Sequence, residues 1–243
     1  MKATVLVGWD DVPHLSKDKK DTILASTPPW QRDARTKGIP ELGKGAVFTI
    51  PESDIVVTGF DIPKHWPRAY GLDVGWNRTA AVWGAIDRDT GSVYIYDEYY
   101  RGQAEPSVHA AAIKSRGDWI PGAIDPASRG RTQTDGAQLL ELYTQLGLHV
   151  DIAYNVREAG IYTVWEMLSQ GRLKIFNHCK NVMAEYRIYR RDEKGQVVKK
   201  NDHLMDALRY FVMTGMEIAK VQPTGRADGR PWWYWSPPEV WAG

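Results

Sequence analysis

Cysteine, long apolar runs and excess charge are all scarce in this sequence. Cys179 is the single cysteine among 243 residues, so no intrachain disulfide can form, and the composition suits a reducing compartment. No stretch approaches the roughly 18 consecutive apolar residues of a membrane span, and the N-terminus lacks the apolar centre of a signal peptide. Because 31 Lys and Arg residues face 30 Asp and Glu residues, a surface that binds a polyanion would have to be a local patch. We expect a cytosolic protein with no membrane partner.

The chain is long enough for one sizeable domain with appendages. Residues 1–67 are repeatedly interrupted by proline, which breaks regular structure, so we interpret them as a linker or arm that packs on the main domain. Residues 68–220 show regular hydrophobic periodicity and form the predicted main domain. Residues 221–243 are rich in Trp and Pro, and they are predicted to be an extended tail whose rings hold it to a surface.

Short apolar segments that indicate strands are followed by segments with helical periodicity, and together they predict an α/β fold for the main domain. Three consecutive strands are joined by short connections, which indicates antiparallel neighbours. The order β-β-β-α-β-α-β-α then describes a mixed sheet with helices on its faces, which is the ribonuclease H-like topology. The predicted strands are 69–74, 80–87, 92–101, 123–125, 150–153 and 173–176, and the predicted helices are 106–116, 135–147, 157–170, 180 to about 186, and 202 to about 220.

Three aspartates stand where acidic metal ligands are expected. Asp73 and Asp125 each end a short apolar strand, and Asp206 lies on the last predicted helix. In a sheet of this order the first and fourth strands can be neighbours, so their carboxylates would meet at one edge. Carboxylates gathered at the end of buried strands are costly to desolvate unless a cation neutralises them, and hard divalent cations prefer oxygen ligands. The pattern predicts a metal-dependent phosphoryl-transfer site, and such a cluster could hold two divalent cations.

Two more residues of the last helix could join this site. Asp202 lies one helical turn before Asp206, and His203 lies three residues before it, so both are further metal-ligand candidates. Asp202 also suits the N-cap of the helix, which leaves a capping role open. Asp206 is therefore the preferred ligand from this helix.

The acidic motifs resemble those of the C-terminal nuclease domain of tailed-bacteriophage large terminases. The similarity spans about residues 5–219 and is most specific in the third motif. A basic hairpin before that motif and two segments near the N-terminus, which look like the connection from motor to nuclease, are similar as well. The matching stretches are 71–75 (GLDVG), 123–126 (AIDP), 201–210 (NDHLMDALRY), 189–200, 9–14 (WDDVPH) and 28–38 (PPWQRDARTKG).

This resemblance implies endonucleolytic cutting of concatemeric double-stranded viral DNA during genome packaging, in the host cell cytoplasm. It implies Asp73, Asp125 and Asp206 as catalytic metal ligands, with His203 nearby or contributing, and Mg²⁺ or Mn²⁺ as the cofactor of a two-metal site. The implied partners are double-stranded DNA, the terminase ATPase domain, the small terminase subunit and the portal protein. Residues 38–45 imitate a phosphate loop, but Gly45 replaces the Ser or Thr that would bind magnesium, so we expect no ATPase site. The sequence indicates a nuclease without its motor, either truncated or separately encoded.

Basic residues near the acidic motifs are candidate DNA contacts, because phosphates must be drawn past repelling carboxylates. Contacts of this kind position a duplex without reading its sequence. The candidates are Arg129, Arg131, Arg187, Arg190, Arg191, Lys194, Lys199 and Lys200.

Three other functions remain open at this point. Junction resolvases, transposases and ribonuclease H share the same carboxylate and metal chemistry. Residues 72–79 vaguely resemble the first phosphate loop of sugar kinases and actin, although no duplicated domain is visible. A non-enzymatic packaging module that docks through the tail is the third possibility.

Overall fold

A computed structural model of the protein describes residues 8–9, 16–26, 36, 45–126 and 135–223. A seven-stranded mixed sheet has the strand order β1-β7-β4-β3-β2-β5-β6. The elements are α1 Lys17–Ser26, α2 Glu52–Ile55, β1 Val56–Val57, β2 Arg68–Asp73, β3 Thr79–Asp87, β4 Ser92–Arg101, α3 Pro106–Lys114, β5 Gly122–Ile124, α4 Asp135–Gln145, β6 Val150–Ile152, α5 Arg157–Ser169, β7 Leu173–Phe176, α6 Lys180–Ile188, α7 His203–Tyr210, a π-helical turn Phe211–Gly215 and α8 Met216–Ile218.

Helices cover both faces of this sheet, as predicted for a ribonuclease H-like α/β fold. Strands β2, β3 and β4 are antiparallel, and the remaining pairs are parallel. Side chains alternate along β3, so Ala80 and Val82 face one core while Ala81 and Trp83 face the other. Helices α5, α6 and α7 pack on the first face, and α3 and α4 pack on the second.

The predicted strand and helix positions are confirmed with small shifts. The fourth predicted strand ends at Ile124, so Asp125 follows it directly. The last helix was predicted from 202 to about 220, and helical residues run from 203 to 218, but they are not α-helical throughout. It begins at His203 and changes to a π-helical turn at Phe211, which interrupts the regular α-helix before α8 ends at Ile218.

One strand was missed because it is only two residues long. Val56 and Val57 form β1, which pairs parallel with β7 at the edge of the sheet. Nearby, Ile55 is fully buried and Phe48 stacks on Tyr186 at a ring distance of 5.7 Å. The described part of the predicted arm therefore packs on the domain, while the boundary at residue 67 stays a prediction.

Close contact between β2 and α7 sets the geometry of the candidate site. A Cβ atom on Gly71 would lie 1.9 Å from the Ala207 carbonyl oxygen and 2.7 Å from the Phe211 amide nitrogen. Only glycine allows backbone atoms to approach this closely. The strand that carries Asp73 and the helix that carries Asp206 are thus in direct backbone contact.

Within the described residues, no helix is both long and apolar enough to cross a membrane.

Candidate functional site

Asp73 and Asp125 lie at the same edge of the sheet. Strands β2 and β5 are parallel neighbours, with Leu72 opposite Ile124. Asp73 directly follows Leu72, and Asp125 directly follows Ile124. The Asp125 amide donates a hydrogen bond to the Leu72 carbonyl at 2.9 Å. The predicted pairing of the first and fourth strands is therefore confirmed, and it brings two carboxylates to adjacent strand ends.

Helix α7 brings its acidic motif to this edge. The His203 Nδ1 atom lies 2.8 Å from Oδ2 of Asp73. Asp206 follows one turn later and is almost entirely buried. Residues that are distant in sequence, 73 and 203, thus share a hydrogen bond.

Electrostatics link the three aspartates. Burial raises the pKa of Asp73 from 3.8 to about 6. The hydrogen bond from His203 opposes this shift, whereas the negative charges of Asp125 and Asp206 raise the pKa of Asp73 further. The same hydrogen bond raises the pKa of His203. Ionised Asp73 is therefore disfavoured here by desolvation first and by its two acidic neighbours second.

Each of the three carboxylates has its own hydrogen-bond partner. Asp73 pairs with His203 as above, and the Tyr210 hydroxyl donates to Oδ1 of Asp125 at 2.8 Å. Asp206 lies between the guanidinium groups of two arginines. With the side chains so oriented, the described residues contain no group of three His, Cys, Asp or Glu side chains that could hold a metal ion.

Two arginines neutralise Asp206. The Arg157 Nη2 atom donates to Oδ2 at 3.1 Å, and the Arg209 Nη2 atom donates to Oδ1 at 3.1 Å. Arg209 is itself buried, and its Nη1 donates to Oδ1 of Asn155 at 2.7 Å. Buried carboxylates need a positive counter-charge, and here guanidinium groups supply it for Asp206.

The chemistry of the donor set fits a hard divalent cation, since all three carboxylates offer oxygen and are largely shielded from water. The arrangement of the side chains does not by itself assemble three ligands. Both oxygens of Asp206 already accept hydrogen bonds from arginine, so a cation would have to share this carboxylate with the guanidinium groups or displace them.

Asp202 occupies the N-cap position of α7, as the sequence suggested, but its side chain makes no capping hydrogen bond. The carboxylate of Glu185, on α6, accepts hydrogen bonds from the first turn of α7 in its place. Burial raises the pKa of Asp202, and the nearby Asp206 raises it further. Asp202 therefore lies beside the candidate site without acting as a cap.

Sequence reasoning missed five residues that surround the aspartates. Arg209 and Tyr210 lie three and four residues after Asp206, a spacing that puts them on its side of the helix and could have identified them. No local pattern pointed to Asn155, Arg157 or Glu185, because they reach the site from other helices and loops.

The predicted DNA-binding residues divide into two groups. Arg187 makes two hydrogen bonds of 2.6 Å to Glu52, and Arg191 makes a 2.6 Å contact with Glu158. The side chains of Arg190, Lys194, Lys199 and Lys200 are exposed. Arg129 and Arg131 lie outside the described residues.

The exposed basic residues include one that lines a groove near Asp206. This groove of about 410 Å³ runs between the first turn of α5 and the basic hairpin, and Arg157 lines it. Lys199 lines the opposite side.

The fold and the acidic strand edge define an α/β domain of the ribonuclease H-like class. The family model described as the terminase RNaseH-like domain matches residues 70–214. The chain belongs to this family, so the predicted resemblance is confirmed.

Similar proteins come from bacteriophages. The large terminase subunit of Salmonella phage P22 is 34% identical over 214 residues, which cover 84% of this chain and 42% of that protein. The solved P22 large terminase nuclease domain is 31% identical with a TM-score of 0.69, covering 74% of this chain and 97% of that domain. The nuclease domain of the phage SPP1 large terminase, solved with bound Mn, is 16% identical with a TM-score of 0.52, covers 70% of this chain and 99% of that one, and shows likeness of fold alone. The chain spans less than half the length of the curated relatives it matches.

Proposed function

We propose that this protein is a metal-dependent endonuclease that cuts concatemeric double-stranded viral DNA during genome packaging in the host cell cytoplasm. The observation that carries the proposal is the meeting of two strand-end aspartates with an acidic helix, in a chain of the terminase RNaseH-like domain family. By the same argument its partners are DNA and the packaging machinery, including the terminase ATPase domain, the small subunit and the portal protein.

Asp73, Asp125 and Asp206 are the proposed ligands of Mg²⁺ or Mn²⁺ in a two-metal site, with His203 and Asp202 adjacent. The bound ions would polarise the scissile phosphate and lower the pKa of the attacking water. The protein's own residues orient the ligands. The Tyr210 hydroxyl holds Asp125, and His203 holds Asp73. Such outer hydrogen bonds fix the direction of a ligand before the ion arrives.

Arg157 and Arg209 would have two effects. Without a cation they place positive charge beside Asp206, which offsets part of the repulsion among the three carboxylates. Arg157 also lines the groove beside the basic hairpin, where a guanidinium can contact a phosphate by two parallel hydrogen bonds. A DNA backbone in this groove would compete for the arginine that now contacts Asp206.

A plasmid-cleavage assay tests the proposal. We expect the protein to nick and linearise double-stranded DNA when Mn²⁺ or Mg²⁺ is present and to be inactive with a chelator. Duplex, four-way junction and RNA–DNA hybrid substrates of equal length should be compared, because related folds cut branched or hybrid molecules. Absence of metal-dependent cutting would overturn the proposal, and preference for the junction or the hybrid would transfer it to those enzyme classes.

The exposed basic residues should bind DNA more strongly than the paired ones. Replacing Arg190, Lys194, Lys199 and Lys200 together with alanine should raise the Kd for duplex DNA roughly tenfold or more and flatten its salt dependence, because fewer counterions are released. Fluorescence anisotropy at several salt concentrations measures both quantities.

Arg187 and Arg191 provide the matched control, since their guanidinium groups already contact carboxylates. Their joint replacement with alanine should lower the melting temperature. The Kd for duplex DNA should rise much less than it does in the variant that lacks the four exposed residues. Equal losses of affinity in the two variants would contradict the division into exposed and paired residues.

A further inference from the structure

Glu185 is a buried carboxylate that lies outside the three acidic motifs. It is on α6 and only 3% exposed. Its Oε2 atom accepts a hydrogen bond from the Leu204 amide at 2.6 Å and a longer one from the Met205 amide at 3.4 Å. A carboxylate from one helix therefore closes the first turn of another.

The first turn of α7 needs such a partner. Amide groups at a helix N-terminus have no acceptor within the helix, and they are normally satisfied by the side chain of the N-cap residue. Asp202 is at that position but makes no side-chain cap. Glu185 supplies both the missing acceptor and a negative charge at the positive end of the helix dipole.

The two amides that contact Glu185 belong to residues between the candidate ligands of α7. His203 directly precedes Leu204, and Asp206 directly follows Met205. A shift of this turn would move both the imidazole that hydrogen-bonds Asp73 and the carboxylate of Asp206.

A contribution to folding stability does not by itself explain a buried carboxylate at Glu185. Its Oε1 atom is buried and makes no hydrogen bond of ordinary geometry with the described residues. Burial raises the pKa of Glu185, and the nearby Tyr100 hydroxyl offsets only part of that rise. Burial of a carboxylate costs free energy that an apolar side chain of similar size would avoid. The residue is better explained by the position it imposes on α7 than by its net contribution to folding.

We propose that Glu185 is a positioning residue of the metal site, which fixes the first turn of α7 so that His203 and Asp206 are held in register with Asp73. This inference rests on the proposed function, since it assigns Glu185 to the same site. Glu185 itself touches neither the substrate nor the ion, and it acts through the backbone of Leu204 and Met205.

The experiment compares Glu185→Ala, Glu185→Gln and the control Ile113→Ala, all in the full chain. Ile113 is buried on α3, on the opposite face of the sheet, so its truncation lowers stability without touching α7. The glutamine side chain keeps an oxygen acceptor of the same reach as the glutamate that it replaces. Three readouts are measured well below the melting temperatures: amide hydrogen exchange of residues 203–210 without metal, Mn²⁺ affinity by calorimetry, and the metal dependence of cleavage.

We expect Glu185→Ala to exchange the 203–210 amides faster and to bind Mn²⁺ about tenfold or more weakly, as is typical when the residue that orients a metal ligand is lost. Glu185→Gln should restore most of the affinity, and Ile113→Ala should retain all of it. Parental exchange and parental affinity in Glu185→Ala would overturn the inference. So would a Glu185→Gln variant as defective as Glu185→Ala, because charge rather than position would then matter.

Failure of the proposed function would look different. The parent itself would then neither bind Mn²⁺ nor cut DNA. The exchange measurement would still decide whether Glu185 positions α7, because it requires no metal.

Discussion

Asp73→Asn should abolish cleavage and at the same time stabilise the metal-free protein. Cleavage should fall by more than roughly 100-fold, since even residues that merely orient a metal ligand contribute ~10–100-fold. The stabilisation follows from the raised pKa of Asp73, because folding at neutral pH must bury an ionised carboxylate beside two others. Plasmid cleavage and thermal unfolding, each with chelator and with Mn²⁺, measure the two effects.

The pH dependence of this stabilisation has a definite sign. In the folded protein Asp73 holds its proton up to about pH 6, whereas in the unfolded chain it loses it near 3.8. Between these values the folded state binds more protons, so Asp73 lowers stability as the pH rises through this window. The effect is largest at neutral pH and vanishes below about pH 4. Added Mn²⁺ should make the parent more stable than Asp73→Asn, because the ion stabilises only the parent.

Asp87 offers a control of opposite sign. It ends β3 at the start of the β3–β4 turn, where the Thr90 hydroxyl and the Asp89 amide donate to it and lower its pKa. Asp87→Asn should therefore lose stability at neutral pH, approach the parent in acid, and cut DNA normally. The prediction for Asp73 would be wrong if Asp73→Asn were less stable than the parent in chelator at neutral pH, or cut DNA at the parental rate.

Gly71→Ala should unfold the site as well as weaken the fold. The new methyl group would meet backbone atoms of Ala207 and Phe211, which cannot rotate away as a side chain can. Strand β2 and helix α7 must therefore separate. Overpacking of this severity costs about 3 kcal/mol or more. That corresponds to a fall in melting temperature of roughly 6–12 °C, which calorimetry or fluorescence can follow.

Loss of cleavage should exceed what unfolding explains, because the separation moves Asp206 away from Asp73. Gly91→Ala is the control, since Gly91 has a positive φ of 70° but no atom within 4 Å of the added methyl. It should cost about 1 kcal/mol and leave cleavage unchanged. A Gly71→Ala protein with the parental melting temperature and activity would contradict this prediction, because β2 and α7 would then accommodate the added methyl group.

Much of the fold was predictable from local pattern. The β3–β4 hairpin was placed within a residue at both ends, because its turn residues and flanking alternation are local signals. The adjacency of β2 and β5 followed from strand order. Strand β1 could not be predicted, since two valines carry no periodicity, and the π-helical turn at Phe211 has no sequence signature in this chain.

The residues of the candidate site also fall into those that local pattern identified and those that only the structure revealed. Its acidic residues were found because carboxylates after buried strands are unusual and call for a counter-charge. Their partners were not, since Arg157 and Glu185 reach α7 from elements far away in sequence. Two of the basic residues proposed for DNA contact, Arg187 and Arg191, proved to contact Glu52 and Glu158, which no charge count could reveal.

The amino-acid sequence alone determined the class of fold, the order of six of the seven strands along the chain and the choice of three aspartates as candidate ligands, because these depend on hydrophobic period and on residue type. Only the tertiary structure decided which charge each aspartate faces, which arginines are already paired, and which carboxylate caps the acidic helix. The physical reason is distance: Coulomb and hydrogen-bond energies depend on separations of a few ångströms, and the packing of helices on the sheet sets those separations.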